Sequence, residues 1–316
     1  MQRCDMLRQS MITAVKLRSV VRIFIALAAL AISFSLHAQT LVITNGLQSF
    51  SALTNTTVIL SNRCEVQIAA TTQPIPGCLI HLNSPDAFFV FSNVKPSVVV
   101  STYLSQFRIN GAIAIADNNC RVVQYGVGTV VIPHNASFQP LQVFTGPHFT
   151  GESRLLSQHV YYRIPQLGTF SSDISSFKLK RGYAVTFAQN ENGTGISKNY
   201  VAQDDDLEIS VLPADFDNRI RFAYVLPWRW VDKKGSCDAS ATDLKAGWWY
   251  NWNISENSSR DIQYVAIKQQ PHWPDLNQNW QLRGVNHLLG YNEPNNPVED
   301  AYVNLTPPGS VNDAVA

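Results

Sequence analysis

The chain has 316 residues, 24 Lys plus Arg against 23 Asp plus Glu, a net charge of +1, and 45% hydrophobic, 15% charged and 10% aromatic residues. That length predicts two or three domains with sizeable cores, and with Gly and Pro unexceptional a disordered or low-complexity chain is excluded. Balanced charge argues against a nucleic-acid binder, which would show a basic face, and an aromatic-, Asn- and Ser-rich chain fits an extracellular protein that handles uncharged ligands such as glycans.

Residues Arg3 to Arg22 carry basic formal charge apart from Asp5 and run into the apolar stretch Ile23 to Leu36, followed by His37, Ala38 and Gln39. This reads as a secretory signal peptide over residues 1–38, cleaved after Ala38. The apolar run is shorter than the about 20 residues that a membrane helix needs, so no membrane span is expected after its removal. The mature chain keeps Cys64, Cys78, Cys120 and Cys237. An even number in an exported chain predicts disulfides, with Cys64 to Cys78 closing the shortest loop. Zinc is the weaker reading, because no CxxC pair occurs.

From Leu41 to His134 short β-type runs follow one another: Thr57 to Leu60, Cys64 to Ala69, Cys78 to Leu82, Ala87 to Phe91, Ser97 to Ile109, Ala112 to Ala116 and Arg121 to Ile132. Asn, Ser, Pro and Gly clusters separate them at the close spacing of an all-β sandwich or solenoid. Glu65, Asp86 and Arg108 read as surface groups, and no catalytic constellation is present.

An internal repeat occupies the stretch from Phe144 to about Val225. Phe144, Phe149 and Gly151 are followed by SSDISS over 171–176 and the β run Phe177 to Leu179; farther on, Ala188, Gly193 and Gly195 take the same offsets, and Asp217 to Phe222 reads DNRIRF before another β run. Such a unit predicts paired Greek keys, in which the glycine tolerates the positive φ of a folded hairpin. The stretch resembles a βγ-crystallin-type double Greek-key domain. In calcium-binding members of that family two Asn or Asp residues, two variable residues, Ser or Thr and then Ser form the ligand motif. Here Ser171 and Ser172 replace the first pair in one copy, and Arg221 replaces the hydroxyl ligand in the other. Calcium wants oxygen ligands and no adjoining cation, so no cofactor is expected, and calcium is disfavoured. The run Asp204 to Asp206 reads as an acidic loop.

All seven Trp residues fall between Trp228 and Trp280, which places a boundary near Leu226. Strand-like Arg229 to Asp232, Gly247 to Asn253, Ile262 to Gln269 and His287 to Tyr291, with a helix predicted over Leu276 to Leu282, point to a parallel sheet or barrel. In barrels of this kind functional groups sit where strands end. WWYNWN, IQYVAIKQQ and HLLGYNEPN resemble the second, third and fourth strands of the catalytic barrel of glycoside hydrolase family 128, a clan A group with endo-β-1,3-glucanase members. The resemblance implies retaining hydrolysis of β-glucan, with Glu293 of the Asn-Glu-Pro triplet as general acid/base and Asn292 helping to hold the sugar.

Retaining glycosidases need two carboxyl groups about 5–5.5 Å apart. Sugar faces pack on aromatic rings while their hydroxyls bond to amides, so Tyr291, Asn251, Trp252, Gln270 and Trp273 are the expected substrate-binding residues. Trp248, Trp249 and Trp280 are expected in the core. Residues 227–316 fall short of the about 250 of a full barrel, which reads as a truncated glucanase or a non-catalytic glycan binder. No residue inherits the family's nucleophile; Glu256, Asp275, Glu299 and Asp300 read as solvated. Sequons stand at Asn55, Asn135, Asn192, Asn253, Asn257 and Asn304. The expected architecture is therefore multidomain and mainly β: a β-sandwich or solenoid module over 39–138, a Greek-key β-sandwich over 139–226, and the first half of a (β/α)8 barrel over 227–316. The expected partner is a polysaccharide.

Overall fold

The computed structural model describes residues 39–134, 139–231, 234–270 and 272–291. The first part is a parallel β-coil. Strands β1 (Gln39–Ile43), β2 (Gly46–Phe50), β3 (Thr56–Leu60), β4 (Cys64–Ile68), β5 (Leu79–Leu82), β6 (Ala87–Phe91), β7 (Phe107–Ile109), β8 (Ala112–Ile113), β9 (Cys120–Tyr125) and β10 (Gly128–Pro133) follow in chain order. They form two sheets, ordered β1-β3-β5-β7-β8 and β2-β4-β6-β10-β9. Val58, Ile80 and Phe107 stand abreast in one sheet, and Gly46, Cys64 and Ala87 in the other. Of the two architectures left open by the sequence, the solenoid is the one formed.

Period-two patterning explains the coil: Thr56, Val58 and Leu60 of β3, like Cys64, Val66 and Ile68 of β4, point inward and are buried. The interior is aromatic where β6 and β7 meet, with Phe89 and Phe107 edge to face at 5.2 Å. Strand β6 is buried on both faces. Its outward Phe88 and Val90 join Val123, Val130 and Ile132 in a second cluster, against which Tyr125 and Trp230 pack.

Two expectations fail here. Residues 97–109 are not one strand: a helical segment runs from Pro96 through Gln106 before β7 begins. Pro96 stands at the first helical position, where its fixed φ favours a helix start, behind an extended Lys95. The predicted disulfides are also absent, since Cys64, Cys78, Cys120 and Cys237 are all free thiols. Cys64 Sγ lies against the carbonyls of Ile43 and Ser61, and Cys78 Sγ against that of Pro76, so the two thiols serve separate turns of the coil. Burial pushes the Cys120 thiol up to about 12.

The second part comprises β11 (Leu141–Phe144), β12 (Ser153–Leu156), β13 (Tyr161–Tyr162), β14 (Ser176–Leu179), β15 (Tyr183–Ala188), β16 (Ser197–Ala202), β17 (Leu207–Ile209) and β18 (Phe222–Pro227). The sheets are ordered β12-β11-β14-β17 and β13-β18-β15-β16. Each repeat keeps its first, second and fourth strands in one sheet and gives its third, β13 or β17, to the other, so neither half closes a core alone. Phe177, Phe187, Tyr183 and Val185 lie fully buried between the sheets. Gly151 and Gly195 have φ of 78° and 80°, the positive values that the repeat predicts.

The positions compared with the calcium motif carry hydrogen bonds between the repeats. Ser175 Oγ donates to Asn218 Oδ1 at 3.1 Å, and Arg221 Nε donates to Ser172 Oγ at 3.2 Å.

The third part contains β19 (Gly235–Cys237), β20 (Trp248–Tyr250), β21 (Gln263–Tyr264), β22 (Ala266–Ile267) and β23 (Leu288–Leu289), paired in parallel as β19-β20-β21 and β22-β23. Val265 alone separates β21 from β22, and Ile267 N donates to Asn253 O at 3.1 Å, so the ladder runs on past β20. The incomplete (β/α)8 barrel is not supported. Strands of two or three residues are joined by a 3-10 turn at Ala239–Ala241, an irregular stretch over 251–262 and a single helical turn at Trp280–Arg283. The Asn- and Ser-rich run after β20 favours turns over helix, and the expected helix from Leu276 shrinks to its last turn. Trp249 and Trp280 pack on the small core of Ile254, Tyr264, Ala266 and Val285, as expected of them. No helix among the described residues is long and apolar enough to cross a membrane.

Side-chain contacts tie the parts together. The guanidinium of Arg121, buried, donates to the carbonyls of Gly182 and Trp228, the latter at 2.5 Å, and its Cζ lies 4.9 Å from the centre of the Tyr183 ring. Glu65 and Asp86 are not simple surface groups: buried Arg181 pairs with Glu65 at 2.6 Å, and Lys180 stands 3.9 Å from Asp86 and 3.4 Å from Asp206. Ser97 N and Oγ donate to Asp261, at 2.9 and 2.6 Å.

Arg121→Met leaves two carbonyls without their charged donor and is expected to lower stability by about 3 kcal/mol in denaturant unfolding; an unchanged midpoint would remove Arg121 from this role. His134, bonded to Tyr183 Oη at 3.0 Å, has its pKa lowered to about 3 by burial, then by Lys180 and Arg121. Its unfolded value is about 6.5, so the unfolded chain takes up the proton first. The stability that neutral His134 contributes is therefore complete above pH about 6.5 and is lost as pH falls toward 3, at about 1.4 kcal/mol per pH unit. Urea midpoints at pH 7 and pH 5 are expected to differ less in His134→Gln than in the parent chain.

Candidate functional site

Parallel strands deliver their following loops to one side, and the third part uses this. Asn251 and Trp252 follow β20, Gln270 and Trp273 follow β22, and Tyr291 comes two residues after β23. The strands are neighbours, with Ala266 abreast of Leu288 and Lys268 N donating to Leu289 O at 2.9 Å. All five residues therefore stand at the carboxyl-end edge. Asn292 and Glu293 lie outside the described residues, as do the signal-peptide segment, Glu299, Asp300, Asn135 and Asn304.

Trp252 is 38% exposed and sits at φ 58°, a left-handed conformation rare for a bulky residue. Its ring meets Tyr250 edge to face at 5.2 Å. Trp273 is 43% exposed and is presented by a tight loop: Gln270 N donates to Trp273 O at 2.9 Å, Trp273 N returns a bond to Gln270 O at 3.2 Å, and Lys268 Nζ holds Pro274 O at 2.8 Å. Two indole faces thus meet solvent from neighbouring loops, a surface suited to the C–H faces of sugar rings.

Asn251 is held within its loop. Its Oδ1 accepts from Tyr264 Oη at 2.7 Å and its Nδ2 donates to Ser255 Oγ at 2.9 Å, so the carboxamide braces the loop. Tyr264 Oη also lies 2.7 Å from Asn253 O, and burial raises its pKa. Tyr264 and Lys268 were missed as positioning residues. The period-two pattern of QYVAI contained the signal for Tyr264, because it sends Gln263, Val265 and Ile267 to one face and Tyr264 and Ala266 to the other. Of the expected solvated acids, Glu256 and Asp275 are exposed.

Residues 224–312 match the family described as the glycosyl hydrolase catalytic core. That span runs from within β18 past β23 and includes Asn292 and Glu293. No curated protein matches the chain. Among solved structures it is similar to a βγ-crystallin domain from Flavobacterium johnsoniae, at 22% identity over 28% of this chain and 93% of that one, with TM-score 0.25. A βγ-crystallin domain from Clostridium beijerinckii shows 19% identity over 28% and 97%, and the N-terminal domain of protein S 23% over 28% and 96%, both with TM-score 0.25.

Tyr264→Phe removes the phenol that holds Asn251 and Asn253. Stability is expected to fall by about 1–2 kcal/mol, read from the denaturant midpoint; a variant as stable as its parent would show that the loop is held by other contacts.

Proposed function

We propose that the chain is a secreted carbohydrate-active protein of the glycoside hydrolase type, resembling family 128, and that it acts on β-glucan with β-1,3 linkages by a retaining route. The observation that carries this reading is the match of residues 224–312 to a glycosyl hydrolase catalytic core, a span in which Asn-Glu-Pro follows the last parallel strand. Glu293 is the general acid/base: it protonates the leaving glycosidic oxygen while a second carboxylate, to which no residue here is assigned, bonds to the anomeric carbon, and it then takes a proton from the water that displaces that carboxylate. Trp252 and Trp273 supply stacking faces, with Gln270, Tyr291 and Asn292 bonding to hydroxyls.

Reducing-end release from a β-1,3-glucan tests the reading. Glu293→Gln is expected to lower turnover at least 100-fold, within the range for losing a general acid, while glucan binding persists. Turnover unaffected by the substitution would overturn the assignment. A second reading, a glycan binder without catalysis, is favoured by the exposed Trp252 and Trp273, and predicts glucan binding that both proteins share with no turnover in either.

A further inference from the structure

A second concave site opens along one face of the same strands. Trp248, Gln263 and Leu288, the first residues of β20, β21 and β23, line with Val265 and Leu289 a cavity of about 720 Å³ that Gln203 and Tyr125 complete from the two preceding parts of the chain. That volume falls within the about 300–1,000 Å³ of ligand pockets. None of Asn251, Trp252, Gln270, Trp273 and Tyr291 takes part in it.

Its walls are aromatic: Tyr125, Trp228, Trp230 and Trp248 are each half-buried, leaving ring surface toward the void. Polar groups stand among them. Gln203 is exposed, and Gln263 Nε2 lies 2.5 Å from His287 Nδ1, fixing the imidazole at the rim. Partial burial, then Arg229, lower the His287 pKa and favour the neutral ring. Among the described residues no carboxylate lines the cavity. The cation in its wall, Arg229, is committed to the carbonyls of Ser259 and Arg260 and to Gln124 Oε1, at 2.8 to 2.9 Å.

We infer that this pocket is a second, non-catalytic binding site for a short neutral saccharide. Ring faces without charge, interrupted by amides and a neutral imidazole, match a ligand with C–H faces and a hydroxyl rim. An acyl chain would strand the amides without partners. A cation would meet Arg229 and also Arg181, whose Cζ stands 5.7 Å from the Trp230 ring centre. An anion would find Arg229 Nη1 and Nη2 already bonded to Ser259, Arg260 and Gln124, with its Nε left over.

The test uses the full chain carrying Trp252→Ala and Trp273→Ala, which removes the aromatic platforms of the carboxyl-end site, titrated with a β-1,3-linked glucotriose by calorimetry. Saturable binding is expected to persist, and adding Gln203→Ala or Trp248→Leu to weaken it at least tenfold. Gln203 is exposed, so its substitution stays informative if Trp248→Leu fails to fold. Loss of all binding in the doubly substituted chain, binding indifferent to Gln203→Ala, or preference for a uronate oligomer or decanoate over the glucotriose would each overturn the inference. Turnover does not enter the test, so failure of the hydrolase reading registers separately.

Discussion

A buried cation, Arg121, joins the coil to the Greek keys. Arg121 projects from β9, and burial lowers its pKa, yet its hydrogen bonds go to main-chain carbonyls. Gly182 O and Trp228 O bracket one end of the sheet in which Tyr183 pairs with Pro227, and Trp228 N itself donates to Gly182 O at 2.7 Å. These carbonyls lie where β15 begins and β18 ends, so one guanidinium closes the sheet and fastens it to the neighbouring coil. A buried charge costs free energy unless its donors are satisfied; two carbonyls and the Tyr183 ring provide that here.

The rest of the contact is built around this point. Phe88, Val130 and Ile132 form an apolar patch with Trp230 across from it, and Arg181 lies 4.4 Å over the Phe88 ring while pairing with Glu65. Lys180 and the main-chain N of Arg181 both reach Asp206, whose carboxyl burial pushes up. Arg63 pairs with Asp205 at the exposed margin. An apolar centre with a charged margin is the anatomy of an interface. In a chain with only 15% charged residues, the acidic loop at 204–206 is spent on holding two parts together.

Strands that alternate or fill with β-branched and aromatic residues were legible from local pattern, as β6 shows by running over the expected residues, and so was the repeat, because Gly151 and Gly195 answer a local φ requirement. The helical segment after Lys95 was not read, because a Val-rich run carries a strand signal and only Pro96 carries the opposing one. Glu65 with Arg181 and Arg229 with Gln124 join residues far apart in sequence, which no local pattern encodes. The thiols misled for a related reason: parity and loop length say nothing of which turn of a coil each Cys enters. At the candidate site, the exposed Trp252 and Trp273 could be read from aromatic content beside amides, whereas the inward turn of Asn251 depended on a tyrosine thirteen positions away.

The failure of the helical connections bears on how the site is held. Ladders of two or three residues fix a loop poorly, and a covering helix would ordinarily orient it. Here the Asn- and Ser-rich run supplies its own fastenings: Ser258 Oγ donates to Tyr264 O and accepts from Tyr264 N, at 3.0 and 2.9 Å. Arg283 reaches back from the helical turn to Asn257 Oδ1 at 3.1 Å and Glu256 O at 2.6 Å. The composition that disfavours helix is therefore the same composition that ties the loop down by side-chain to main-chain bonds. A loop fixed in this way presents Trp252 already ordered, so a ligand that stacked on it would cost less conformational freedom. Lys268 does the same for Trp273 through Pro274 O, and the two exposed indoles owe their placement to polar residues of the surrounding loops.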